Sequence, residues 1–209
     1  FSSIDHQGRY AYANQPYIAQ WNLARLAESL LPLMDDDREN AIEMAEEALN
    51  AFEDIYKSKW LSMMRSKLGL VVTRKEDEKL VTDLLDWMHQ NRADYTNTFR
   101  NLSKPELPQE VPYATESFEA WHNRWQNRLG EEEQGWDSSV TLMASVNPAV
   151  IPRNHKVEEA LQAGEEGDLK LLHDLVKALE NPYQEGDHLI PYQSPPEPTE
   201  KVYRTFCGT

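Results

Sequence analysis

Basic residues are scarce in this chain, cysteine occurs once, glycines are few, and long apolar runs are missing. Each shortage closes off a class of function. Lysine and arginine together number 21 against 36 aspartates and glutamates, for a net charge of -15. A nucleic-acid surface needs clustered Lys and Arg to neutralise phosphates, and docking on an anionic membrane needs the same. Neither partner is expected. No apolar run approaches the roughly 20 residues that span a bilayer. The lone Cys207 excludes an internal disulfide framework and suits a reducing compartment, so a cytoplasmic location is expected. No glycine-rich loop cradles phosphate, because Gly164-Glu165-Glu166-Gly167 is acidic and repels it. A Gly-x-Ser-x-Gly elbow is absent, so an acyl-transfer nucleophile has no support.

What remains is a chain of 209 residues with 40% apolar residues, enough for one sizeable core or most of a lobe. It reads as nearly all helix. Asn14 and Pro16 start a first helix, whose stripe Ile18, Trp21, Leu23, Leu26, Leu30 and Leu31 runs to about Met34. Asp35-Asp36-Asp37 precedes a second helix, with Ile42, Ala45, Leu49, Phe52, Tyr56, Trp60 and Met63 on one face and Gly69 as its stop. Thr73 and Glu76 form a capping box for a third, buried through Leu80, Leu84, Met88, Tyr95, Phe99 and Leu102 with a break near Asn91. The prolines of 103–113 mark a loop. Helices are expected near 115–129, 138–146, 154–164 and 168–180. The proline-rich remainder is read as an extended tail anchored by Tyr192, Tyr203 and Phe206.

Asp86-x-x-His89 and Glu119-x-x-His122 place a carboxylate and an imidazole on one helix face, as in carboxylate-bridged di-iron bundles. The first two helices offer no obvious inward Glu, so solvent-facing polar residues at helical spacing explain these pairs better and no metal site is expected. The tryptophans and methionines at helical spacing are read as core. His155 follows Asn154 at a helix start, with its own role open. Cys207 lies too near a terminus to be held rigidly as a thiol-protease nucleophile. No self-sufficient active site is expected, and the opening at Phe1 suggests the middle of a larger protein.

The opening Asp5-x-x-Gly8-Arg9-Tyr10-x-x-x-Asn14-Gln15-Pro16, followed by Trp21-Asn22-Leu23-x-x-Leu26-Ala27, resembles the signature of the selenoprotein O family of pseudokinase-fold protein adenylyltransferases. The resemblance continues through Asn147-Pro148-x-x-Ile151-Pro152-Arg153-Asn154-His155-x-Val157-Glu158-x-Ala160, Gly167-Asp168 and Asn181-Pro182-Tyr183. It closes at Cys207, at the position where eukaryotic members carry selenocysteine. Residues 35–140 are supported mainly by helical pattern.

The resemblance implies an all-α, helical C-lobe part of a kinase-like fold, from an enzyme that transfers AMP from ATP to Ser, Thr or Tyr hydroxyls of protein substrates. It implies that the residues gripping ATP and Mg2+, and the catalytic Asp, precede this chain. The segment alone is then expected to hold no catalytic, cofactor or metal residue and to be inactive. Its partners would be protein substrates and the missing N-terminal kinase-like lobe. Residues 1–15 would form an activation-segment-like opening, 16–180 a single helical domain and 181–209 the tail. Asp5 and Arg9 are the candidates for facing the active site or substrate, since Arg9 can hold a carboxylate or phosphate bidentately. A purely local turn built by the same two residues is the equal alternative. Family members are thought to use the terminal thiol for redox control, which points to Cys207. The chain has no second cysteine, so a disulfide partner would lie elsewhere. A non-enzymatic acidic helical module that binds a basic partner is the rival reading.

Overall fold

The computed structural model describes residue 5 and residues 7–9, 11–109 and 111–202. Within them every regular element is a helix and no strand forms. No helix among them is long and apolar enough to cross a membrane. The chain divides into two compact units, with the boundary between Leu61 and Ser62, where the sequence suggested one body over 16–180. That boundary falls inside a helix, a position that composition does not mark.

In the first unit a 3-10 turn, Tyr12–Asn14, leads into α1 (Gln15–Met34). Pro16 sits in the first turn of α1, where its missing N–H costs nothing. Asn14 occupies the cap position without bonding the helix, and its amide donates instead to the Gly8 carbonyl at 2.8 Å. Helix α2 (Arg38–Lys67) starts as the acidic run suggests, with Asp37 Oδ1 accepting from the Glu39 N–H at 2.8 Å. The apolar stripes depart from expectation. Helix α1 has no buried residue, Leu33 is 82% exposed, and Ile42 and Tyr56 on α2 are exposed as well. Only Ala41 and Ala45 are buried on this part of α2. The stripes are real at the sequence level, but a helix buries its face only where a second apolar surface lies opposite.

The second unit runs from Ser62 to Lys201. It holds the end of α2, then α3 (Asp77–Asn91), α4 (Tyr95–Asn101), α5 (Glu116–Leu129) and α6 (Gly135–Val146). These are followed by α7 (Asn154–Glu165), α8 (Lys170–Leu179) and the short α9 (Ile190–Gln193). Helices α3 and α5 pack together, and α7 and α8 form a hairpin. The tryptophans of α5 are core residues that also tie down backbone, as expected of indoles in a dry interior. Trp121 Nε1 donates to the Leu80 carbonyl at 2.9 Å and Trp125 Nε1 to the Leu68 carbonyl at 3.0 Å. Gly69 has φ +76°, and a Cβ there would stand 3.1 Å from the Ser139 Cβ. A stop after α2 needs glycine for both reasons.

Two expectations are corrected here. Helix α3 begins at Asp77, not at a Thr73 cap. Asp77 Oδ2 accepts the Arg74 N–H at 2.8 Å, so the carboxylate one position past Glu76 takes over the start. The residues after Asn181 are not simply extended. A 3-10 turn at Asp187–Leu189 and α9 follow, and Leu189 is buried with Val150 and Ala178 while Tyr192 packs against them. Tyr203, Phe206 and Cys207 lie outside the described residues.

Candidate functional site

The polar opening is organised by backbone as much as by charge. Gly8 has φ +65°, a left-handed turn that glycine adopts without strain. The carboxylate of Asp5 accepts the Arg9 backbone N–H at 2.7 Å, and the Gly8 carbonyl receives the Ala11 N–H at 3.0 Å. Asp5 and Arg9 therefore share a turn, joined through main chain. The Arg9 guanidinium meanwhile stands 4.6 Å from the Trp21 ring centroid, with Arg25 5.5 Å from the same ring. Such stacking fixes a guanidinium plane. Arg9 thus joins a local turn through its main chain while its side chain lies against Trp21.

The other motif residues meet in the second unit. Arg100, on α4, is buried and donates from Nη1 to the carbonyls of Ala144 and Asn147, each at 2.9 Å. Its Nη2 donates to the Tyr183 carbonyl at 3.1 Å and its Nε to Glu185 at 2.7 Å. The Pro182 carbonyl receives the N–H groups of Ala149 and Val150 at 2.7 and 3.2 Å. Asn147 is fully buried; its Oδ1 accepts from Lys67 Nζ at 2.9 Å and its Nδ2 donates to the Lys67 carbonyl at 2.9 Å. Burial lowers the Lys67 pKa, and its ammonium lies 4.9 Å from the Phe99 ring centroid. Arg153 closes the cluster with a bidentate pair to Asp94 at 2.8 and 3.0 Å. Burial alone would raise the Asp94 pKa, but hydrogen bonds from Arg153 and the Asn97 N–H bring it below the ordinary value. Arg153 Nε and His155 Nδ1 are buried with no hydrogen-bond partner among the described residues.

Sequence comparison gives this arrangement a family. The profile described as protein adenylyltransferase SelO matches residues 2–180. The chain belongs to the SelO family. It is 51% identical over 210 residues to the protein nucleotidyltransferase YdiU of Nitrosococcus oceani and 52% identical to that of Alcanivorax borkumensis. The YdiU protein of Alkaliphilus metalliredigens is 47% identical. Each similarity covers all of this chain and 43% of the relative, so the chain spans less than half the length of the proteins it matches.

For a SelO-family chain, the sequence placed the residues unevenly. Asp5 and Arg9 share a turn; Cys207 lies outside the described residues. The two carboxylate–imidazole pairs stay apart in role. His89 is exposed, whereas His122 stacks at 5.7 Å on Phe118 and lies 5.2 Å from Trp125. Among the described residues no group of three His, Cys, Asp or Glu side chains gathers as a metal would require. Arg100 was missed. Nothing in the pattern of α4 separates it from a solvent-facing arginine, and its function shows only once Asn147 and Tyr183 stand beside it. Arg128 was missed for the same reason. It donates to Asp77 at 2.8 Å and to Glu132 at 2.7 Å, while Glu132 Oε2 accepts the N–H groups of Val71 and Val72, both at 3.1 Å.

Proposed function

We propose that this chain forms the helical C-lobe part of a protein adenylyltransferase with a kinase-like fold. The observation that carries the reading is the SelO-family match over residues 2–180, together with relatives named as protein nucleotidyltransferases. In the reaction, a Ser, Thr or Tyr hydroxyl oxygen of a protein substrate attacks the α-phosphorus of ATP. The bond from the α-phosphorus to the oxygen shared with the β-phosphate breaks, pyrophosphate leaves, and the hydroxyl proton passes to a base. Mg2+ would supply charge neutralisation on the phosphates when bound. Charge stabilisation of the phosphates is the main demand of such chemistry. No residue of this chain is assigned to it; the ATP and Mg2+ ligands and the base belong to the preceding part of the longer polypeptide.

The contribution of this chain is then scaffold and wall. The bare apolar face of α1, with Trp21 48% and Leu26 53% exposed, fits a helix that is completed by another part of the fold, since patches of this kind mark interfaces. The turn that joins Asp5 and Arg9, with the Arg9 guanidinium on Trp21, is the part suited to face the protein substrate. Cys207 is assigned a regulatory role, in which an oxidant removes two electrons and two protons from this thiol and a second protein thiol to form a disulfide. Incubating the longer polypeptide with α-labelled ATP, Mg2+ and a generic acceptor protein tests the reading. Labelled AMP on hydroxyl side chains supports it. Arg9→Ala should reduce transfer, and Cys207→Ser should abolish any difference between oxidising and reducing conditions.

A further inference from the structure

The second unit carries a groove of about 640 Å³ that the adenylyltransferase reading leaves unused. One side is the loop after α4, with Pro105, Leu107 and Pro108; the other is α5, and Trp136 of α6 stands at its edge. A continuous row of rings lines it. Tyr113 lies 5.3 Å from Phe118, Phe118 5.7 Å from His122, His122 5.2 Å from Trp125 and Trp125 6.1 Å from Trp136. Phe118, His122 and Trp125 fall at i, i+4 and i+7, so one face of α5 presents three of the five. Phe118 and Trp125 are buried as a floor, while Trp136 is 45% exposed. Trp136 thus offers an open ring face at the edge of a packed row.

The charge on this groove has one dominant sign. Glu106, Glu116 and Glu119 line it against a single ammonium, Lys104, and all four are exposed. None of the three carboxylates takes part in an ion pair among the described residues. Burial lowers the His122 pKa, so its ring is neutral near pH 7 and adds an aromatic face without opposing charge. Flat rings beside unpaired carboxylates match a planar cation: a guanidinium stacks on the ring and bonds the carboxylate through its edge. A phosphate or an acidic peptide would meet repulsion here.

We propose that this groove docks an extended, arginine-bearing peptide segment of a partner protein, with guanidinium groups against the accessible rings of Tyr113, His122 or Trp136 and paired to Glu116 or Glu119. The proposal stands on the second unit alone and does not depend on AMP transfer.

The test measures binding of a fluorescein-labelled octapeptide of alternating arginine and glycine to the full chain, by anisotropy at low salt. Lysine-glycine and glutamate-glycine versions are the comparison. The arginine peptide should bind best, the lysine peptide more weakly and the glutamate peptide not at all. Trp136→Ala, and separately Glu116→Gln with Glu119→Gln, should each weaken the arginine peptide about fivefold or more. Glu165→Gln with Glu166→Gln, at exposed acids outside the groove, should leave binding unchanged. The glutamine pair keeps the test independent of any packing lost with the indole. Three results would overturn the proposal: no arginine-peptide binding, equal loss in the Glu165/Glu166 control, or self-association of the chain that Trp136→Ala abolishes without peptide binding.

Discussion

At the residue scale, three arginines hold the second unit in different ways. Arg128 sits between Asp77 and Glu132, whose side chains are 0% and 1% exposed, and it also donates to the Val72 carbonyl. Replacing it with Met would leave two buried carboxylates without a cation, a loss of about 3–5 kcal/mol. Urea unfolding of Arg128→Met should show a loss of this size; a change below about 1 kcal/mol would mean the carboxylates are paired otherwise. The same network sets an acid limit. Burial pushes Glu132 up, but the N–H groups of Val71 and Val72 and the Arg128 guanidinium outweigh it and leave its pKa below the ordinary value. A carboxyl depressed in the folded state stabilises above the unfolded pKa of about 4.3 and loses that contribution as pH falls through the folded value. Asp94 adds a term of the same sign. The melting temperature should therefore drop between about pH 5 and pH 3, and Glu132→Gln should be less stable at neutral pH with a shallower acid slope. An equally steep slope in Glu132→Gln would remove Glu132 from the account.

At the element scale, the sequence was most informative where local chemistry decides alone. The helix expected near 115–129 is present as α5, and Thr115 caps it, its Oγ1 accepting the Phe118 N–H. Phe118, Trp121, Trp125 and Leu129 are buried as their spacing requires. The break after Asn91 appears as Arg92 at φ 53°, with Asp94 capping α4. Long-range pairing was not legible. Asp77 displaces the Thr73 box because Arg128, 51 residues away, bonds it, and no local rule contains that information. The aromatic row was visible only in part, since i, i+4, i+7 spacing on α5 signals a core face and cannot announce that Trp136 and Tyr113 extend it. Gly69→Ala tests the stop of α2. A left-handed φ and a Cβ 3.1 Å from Ser139 should together cost more than about 1 kcal/mol in thermal unfolding. A neutral result would show that the α2–α6 approach relaxes freely.

At the scale of the whole molecule, composition set the limits that matter. A net charge of -15 keeps phosphates away from most surfaces. The apolar stripe of α1 was legible as a stripe; that it has no buried residue was not, because burial depends on what lies opposite. If another part of the polypeptide covers it, the 209-residue chain alone should self-associate or bind hydrophobic dyes. Leu26→Lys with Leu33→Lys should suppress that association in sedimentation, whereas unchanged association would place the sticky surface elsewhere.

The central claim, that this SelO-family chain is the non-catalytic helical part of an adenylyltransferase, is tested most directly by AMP transfer. The longer polypeptide and the isolated 209-residue chain are each incubated with α-labelled ATP, Mg2+ and an acceptor protein, and adducts are mapped by mass spectrometry. AMP on Ser, Thr or Tyr hydroxyls from the longer polypeptide, and none from the isolated chain, is the predicted result. Transfer by the isolated chain, or no adduct from the longer polypeptide under any redox condition, would contradict it.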